Sequence, residues 1–263
     1  YQITSEHMKA LKEMAEGTHI DGRRNRSRLG GYTPNVPEGC FGFGEYVFCE
    51  NETDGKTSRV NPVDMERTEN TIKKALEECQ HVVVNIHSHE IKHDTDDEPD
   101  DFLIEFCHKC IDAGASAVFG TGTHQLKAVE LYKNKPIFYS LGNFIFQRDT
   151  VFCLPDDFRE RYHMPYGLTP KEQVELRCAR GNGGLHADVN NFRSIMPFLT
   201  YEDGKLTKVI LYLLRLDMHT GLPALATQGE AKIIYDYLVE RNKQFGTKMQ
   251  LKNTIIEVDL NHD

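Results

Sequence analysis

The sequence predicts a layered α/β fold: a mixed sheet built on a parallel β-α-β unit, with hairpins on either side. Three observations carry this. Residues 82–87 form a β-branched apolar run that is followed by a helical pattern and a second short apolar run, the signature of strand, helix and parallel strand. Residues 126–132 and 136–141 flank Lys133-Asn134-Lys135, turn chemistry between two strand-like stretches. Residues 195–201 and 205–216 do the same around Glu202-Asp203-Gly204. Parallel units flanked by hairpins belong to layered α/β architectures.

The elements follow in chain order. Ser5 is positioned to cap a helix running to about Glu16, with Met8, Leu11 and Met14 at helical spacing and Gly17 as its stop. Residues 21–40 are rich in arginine, glycine and proline and read as a long loop. Asp64 opens a second helix through Glu78. Residues 82–87 read as a strand buried on both faces. Residues 98–113 read as a helix with Phe102, Phe106 and Cys110 on one side and Gly114 at its end, and Ala115 to Phe119 as the next strand. Residues 148–192 are polar and irregular. A helix from about Gln228 to Phe245 and a strand near Ile255 complete the pattern. The whole is expected to be a single domain.

Bulk composition narrows the function. At 39% apolar and 27% charged residues, the chain is ordinary for a globular protein and argues against disorder. A net charge of −9 argues against nucleic acid as partner, because phosphate backbones need a basic face. No apolar run reaches the roughly 18 residues of a membrane span, so no transmembrane segment is expected. The chain starts with Tyr1 rather than Met, which reads as a fragment or a processed form. The seven cysteines are odd in number and irregular in spacing, which argues against a full disulfide framework. Cys107-His108-Lys109-Cys110 is a lone C-x-x-C in a helical pattern and reads as helix cysteines rather than a zinc or redox site.

In open α/β sheets, functional groups gather beyond the carboxyl ends of strands. Here one strand end delivers His87-Ser88-His89-Glu90 and the next Gly120-Thr121-Gly122-Thr123-His124. Imidazole and carboxylate together suit a divalent metal, and a bound metal polarises phosphoryl or carbonyl oxygens. The competing reading is of hydrogen-bonded loop histidines. The acidic run Asp94, Asp96, Asp97, Glu98, Asp100 and Asp101 reads as a solvated loop and first helical turn, with His93 in the same loop. His19 and Asp21 precede the arginine-rich stretch, and His163, His186 and His219 have no ligand-like spacing.

The stretch from His81 to about Asp157 resembles the CapA family, poly-γ-glutamate capsule biosynthesis proteins with a calcineurin-like metallophosphatase fold. VVVNIHSHE, DAGASAVFGTGTHQLKAVELYKNKPIFYSLGNFIFQ and LPDDF carry the match, while residues 1–60 fit poorly. The resemblance implies a metallophosphatase-like fold and a two-metal site at strand ends. It assigns metal-ligand positions to His87 and His124, with Glu90 beside them, and places His89 and Asn143 near the reacting groups as catalytic candidates. Thr121 stands where the family's earlier histidine would be, and the family's N-terminal Gly-Asp and Asn-Asn-His motifs do not precede the matched region. The domain is therefore expected to be N-terminally incomplete relative to the family.

Two functions follow from the resemblance. One is a metal-dependent phosphoesterase or other hydrolase of capsule biosynthesis, using divalent Mn, Fe or Zn on a phosphoester or anionic polymer. The other is a non-catalytic binding or assembly module that keeps the fold with a degraded metal site, among cell-envelope biosynthesis partners. The family implies a cell-surface or membrane-associated location, and a cytoplasmic one is the alternative, since the chain shows no signal or anchor.

Overall fold

A computed structural model describes residues 1–147, 150–178 and 183–260. The chain divides into two compact units, Tyr1–Arg59 and Val60–Asp263.

In the first unit, strand β1 (Gln2–Ile3) leads into helix α1 (Ser5–Thr18). The cap is Thr4, whose hydroxyl accepts from the His7 N–H, and Met8 is the buried anchor. Residues 21–40 are not all loop: Gly22–Leu29 form helix α2. It buries no residue, so it leaves no apolar periodicity to read. Strands β2 (Cys40–Phe43) and β3 (Tyr46–Glu50) complete a three-stranded sheet in the order β1-β3-β2. Cys40 and Cys49, opposite each other in that sheet, form a disulfide, and the other five cysteines are not disulfide-bonded.

The second unit starts with helix α3 (Pro62–Leu76), capped by the Asn61 side chain. The expected unit follows as strand β4 (Val83–Ser88), helix α4 (Asp101–Asp112) and strand β5 (Ala117–Gly122), with β4 and β5 parallel. Strands β6 (Val129–Tyr132) and β7 (Lys135–Phe138) form the hairpin about Lys133 and Asn134, both at positive φ as a tight hairpin turn requires. The resulting mixed sheet has the order β4-β5-β7-β6. β4 lies at its edge, and Val83 to His87 alternate between exposed and half-buried rather than being buried on both faces. The apolar run reports strand propensity here, not a central position.

Residues 148–192 hold two short helices, α5 (Asp156–Arg161) and α6 (Pro170–Arg177), where an irregular stretch was expected. Neither buries a residue. Strands β8 (Arg193–Glu202) and β9 (Lys205–Leu216) form the second hairpin, and strand β10 (Pro223–Leu225) adds to β9. Helix α7 (Gln228–Asn242) opens with a capping box between Thr227 and Glu230. Strands β11 (Met249–Lys252) and β12 (Ile255–Val258) pair as a final hairpin, and with β8 to β10 they make a five-stranded antiparallel sheet.

Two apolar layers hold this unit. One face of the mixed sheet packs Val118, Ile137 and Tyr139 against Met65 and Ile72 of α3 and Leu103, Cys107 and Ile111 of α4. Val129 and Phe138 face the other layer, against Val209, Leu211 and Leu213 of the antiparallel sheet and Ile234 and Leu238 of α7. Helix, mixed sheet and antiparallel sheet are therefore stacked as an α/β layered fold, and the carboxyl ends of β4 and β5 open on one rim.

Candidate functional site

At that rim, β4 and β5 deliver their polar residues side by side, with His87 paired to Thr121 and Ser88 to Gly122. The strands can approach because β5 ends in glycines. A Cβ on Gly122 would lie 2.1 Å from the Ser88 carbonyl oxygen, and one on Gly120 2.3 Å from that of Tyr139. Beyond them lies a cleft of about 370 Å³ lined by His87, Thr121, His124 and Asn143, with Phe144, Ile195 and Met196 as apolar wall.

The hydrogen bonds define the state of each ring. Thr121 Oγ1 donates to the Ile86 carbonyl at 3.4 Å, so at 3.0 Å it accepts from His87 Nδ1. The lone pair of His87 is then on Nε2, which lies 3.0 Å from Nε2 of His89. One proton serves that contact, and His89 supplies it. His124 Nδ1 lies 2.8 Å from Asn143 Oδ1. The Asn143 amide is oriented by its own donation to the Asn191 carbonyl at 2.9 Å, and the buried Asn191 donates in turn to the Leu185 carbonyl. The Asn143 oxygen thus faces His124, Nδ1 carries the proton, and Nε2 carries the lone pair. His124 has a φ of 66°, a left-handed conformation uncommon outside glycine, and persists there with the Asn143 bond and an edge contact to Phe146.

The candidate residues therefore fall into two groups. His87, His124 and Asn143 line the cleft, and His89 joins it through His87, its ring 5.8 Å from that of His124. Glu90 is exposed, outside the cleft lining, and its carboxylate accepts from Ser88 Oγ at 2.6 Å. The loop that carries it is latched from below: the fully buried Lys127 ammonium donates to the carbonyls of Glu98 at 2.9 Å and Glu90 at 3.3 Å, and Arg241 pairs with Asp97. Sequence reasoning did not single out Thr121 as the partner of His87, nor Asn191 and Lys127. Their signal is three-dimensional, since each acts from a distant segment.

The donor set can be tested against a metal. Ligand nitrogens on a tetrahedral zinc are about 3.4 Å apart, from Zn–N bonds of about 2.0–2.1 Å. The 3.0 Å between the His87 and His89 Nε2 atoms is near that spacing, and their shared proton occupies the place of an ion. Two imidazoles can hold one divalent ion in this way. Among the described residues, no group of three or more His, Cys, Asp or Glu is arranged to hold a metal.

Residues 31–148 match the family described as bacterial capsule synthesis protein PGA_cap. The match starts well before His81 and runs through both histidine segments. Among curated proteins, the uncharacterized protein y4sH of Sinorhizobium fredii is 27% identical over 213 residues, covering 76% of this chain and 46% of its own length. The PGA biosynthesis protein CapA of Bacillus subtilis is 35% identical over 118 residues, 45% of this chain and 30% of that protein. The capsule biosynthesis protein CapA of Bacillus anthracis is 39% identical over 102 residues, 38% of this chain and 24% of that protein. The chain spans less than half the length of these curated relatives.

Proposed function

We propose, from the premise that this is a CapA-family protein related to capsule biosynthesis, that its histidine cleft is the active site of a metal-dependent hydrolase. The observation that carries the reading is that His87 and His124, from two different strand ends, line one cleft with their Nε2 lone pairs unprotonated. The expected ion is Mn, Fe or Zn, held by His87 with His89 or His124 as partner. Such an ion supplies charge to a phosphoryl or carbonyl oxygen and a more acidic water. The chain's own groups do the rest. Thr121 and Asn143 hold their imidazoles in the ligating tautomer. His89, exposed beside His87, is placed to hand over or take up a proton. Phe144 and Met196 form an apolar wall that excludes water from one side of the cleft.

The substrate class is a phosphoester or an anionic polymer-linked intermediate, which an ion in the cleft attracts despite the net charge of −9. The relatives named for PGA and capsule biosynthesis support a polymer of this kind. The Cys40–Cys49 disulfide supports work in an oxidising compartment, in keeping with a cell-surface or membrane-associated role. No described helix is long and apolar enough to cross a membrane.

A second reading, a non-catalytic binding or assembly module, is favoured by one observation: Thr121 spends its hydroxyl on His87 where a ligand would stand, and the described residues form no three-residue donor group. Elemental mass spectrometry after separate loading with Mn and Zn separates the two. Near-stoichiometric metal in wild type, lost in His87→Ala and in His124→Ala, with phosphoesterase turnover lost in parallel, is the result expected of the hydrolase. Wild-type protein that takes up no metal under either loading rejects it in favour of the binding module.

A further inference from the structure

The second unit has another concave site, at the opposite end of β5 from the histidines. A cavity of about 320 Å³ is formed where the β6–β7 and β8–β9 turns come together, with Ser116, just before β5, at its side. Lys133, Lys135 and Lys205 line it, with Tyr201 and Leu206. In a chain of net charge −9 this is a local reversal of sign.

The three ammonium groups are not equivalent. Lys133 is committed, its Nζ lying 2.5 Å from Asp112 Oδ1. The ammonium groups of Lys135 and Lys205 form no hydrogen bond or ion pair with any described residue. Lys135 is half-buried, and burial pulls its proton affinity below the ordinary lysine value, only partly offset by Asp112. A half-buried ammonium without a partner is an unfavourable arrangement that a bound anion relieves. The wall opposite is rigid: Tyr201 donates to the Ser116 carbonyl at 3.1 Å, Ser116 Oγ lies 3.1 Å from His81 Nδ1, and the His81 and Tyr201 rings are 4.2 Å apart. Leu206 gives the cavity an apolar surface.

We propose that this cavity is an anion-binding site, in which Lys135 and Lys205 grip the oxyanion head of a small ligand whose carbon portion rests on Leu206 and Tyr201. The head group is a phosphate or a carboxylate, which share the oxygens that two ammonium groups recognise. The site is independent of the histidine cleft: it lies at the other end of a six-residue strand, roughly 16 Å away at about 3.3 Å per residue.

The test is calorimetric titration of the whole chain, at matched ionic strength, with inorganic phosphate in one arm and glutarate in the other. Saturable binding of either probe is expected, weakened about tenfold or more by Lys135→Gln and by Lys205→Gln. Lys73→Gln, the same charge change on α3, and His87→Ala are expected to leave it unchanged. Phosphate binding alone marks a phosphorylated ligand, and glutarate binding alone a carboxylate one. No saturable binding of either probe overturns the proposal, as does binding that survives both lysine substitutions in folded protein. Binding lost in His87→Ala instead overturns it by moving the anion to the cleft. A failed metal-loading experiment has no bearing on these outcomes.

Discussion

The second unit sets histidine against one sheet in two places, and they are built oppositely. On the side facing α4, His108 donates through Nε2 to both oxygens of Glu130, at 3.0 and 2.9 Å, and stacks on Tyr132 at 3.9 Å. Tyr139 donates to the same carboxylate at 2.5 Å, and Glu130 is only 7% exposed. Both oxygens of the carboxylate there have a protein donor. At the rim, His87 faces another imidazole, His124 faces an amide oxygen, and no carboxylate among the described residues enters the cleft lining. This contrast separates a structural histidine from a candidate ligand. The half-buried His108 ring spends its Nε2 proton on a carboxylate inside the fold, whereas the rim rings are held in one tautomer, with the Nε2 lone pair of His87 met only by a second imidazole.

This contrast makes ordered predictions. The largest effect is expected in the buried cluster. Glu130→Ala leaves the His108 N–H and the Tyr139 hydroxyl without their acceptor, and is expected to cost about 3–5 kcal/mol in urea unfolding. A variant melting like wild type would show that the cluster is not saturated as described. Lys127→Met comes next, at about 1–3 kcal/mol, with faster amide exchange over residues 90–98 because two carbonyl anchors are gone.

Lys127 also makes a pH prediction. Burial lowers its proton affinity from the ordinary 10.5, against the pull of Asp96, Asp100, Asp97 and Glu90. The unfolded chain then binds that proton more readily, so stability rises with pH between the folded value and 10.5. Stability measured across that window should lose this rise in Lys127→Met. If both proteins keep the same slope, the lysine is not the source.

At the rim, His89→Ala and His124→Ala are expected to change stability by no more than about 0.5 kcal/mol, since these side chains support no core. A loss several times larger in thermal melts would make them structural after all. The smallest signal is chemical. Burial pushes Cys110 up to about 12 and Cys107 well above the ordinary thiol range, while Cys79 and Cys153 are exposed. Brief iodoacetamide treatment of native protein should label Cys79 and Cys153 and spare Cys107 and Cys110, as read by peptide mass spectrometry. Early modification of the C-x-x-C pair would show that α4 opens.

Much of this was legible in the residues wherever burial writes a pattern. The β4-α4-β5 unit, both long hairpins and α7 follow apolar runs and turn residues directly. What escaped was surface structure. Helices α2, α5 and α6 bury nothing, so no period marks them. The disulfide and the three-stranded sheet of the first unit hid in a sequence of mixed polarity. The edge position of β4 was unreadable because Val82 to Ile86 have the composition of a central strand, and only pairing decides which it is. For the site, strand ends and resemblance led to His87, His124 and Asn143. The partners that set their tautomers, Thr121 and Asn191, lie 34 and 48 residues away from them in the chain, and no local pattern links such pairs.

The glycines flanking Thr121 carry a consequence for how this protein can change. Any side chain at 120 or 122 drives into a carbonyl of the neighbouring strand, and Gly122 also holds a φ of 131°. Thr121, exposed between them, is the single adjustable position on that strand end. Heritable variation in the cleft's floor is thereby funnelled through one codon. Replacing its hydroxyl by a methyl, as in Thr121→Val, withdraws the acceptor that fixes His87 and releases that ring to exchange tautomers. The backbone thus permits retuning of the donor set in single steps, without disturbing the sheet that presents it.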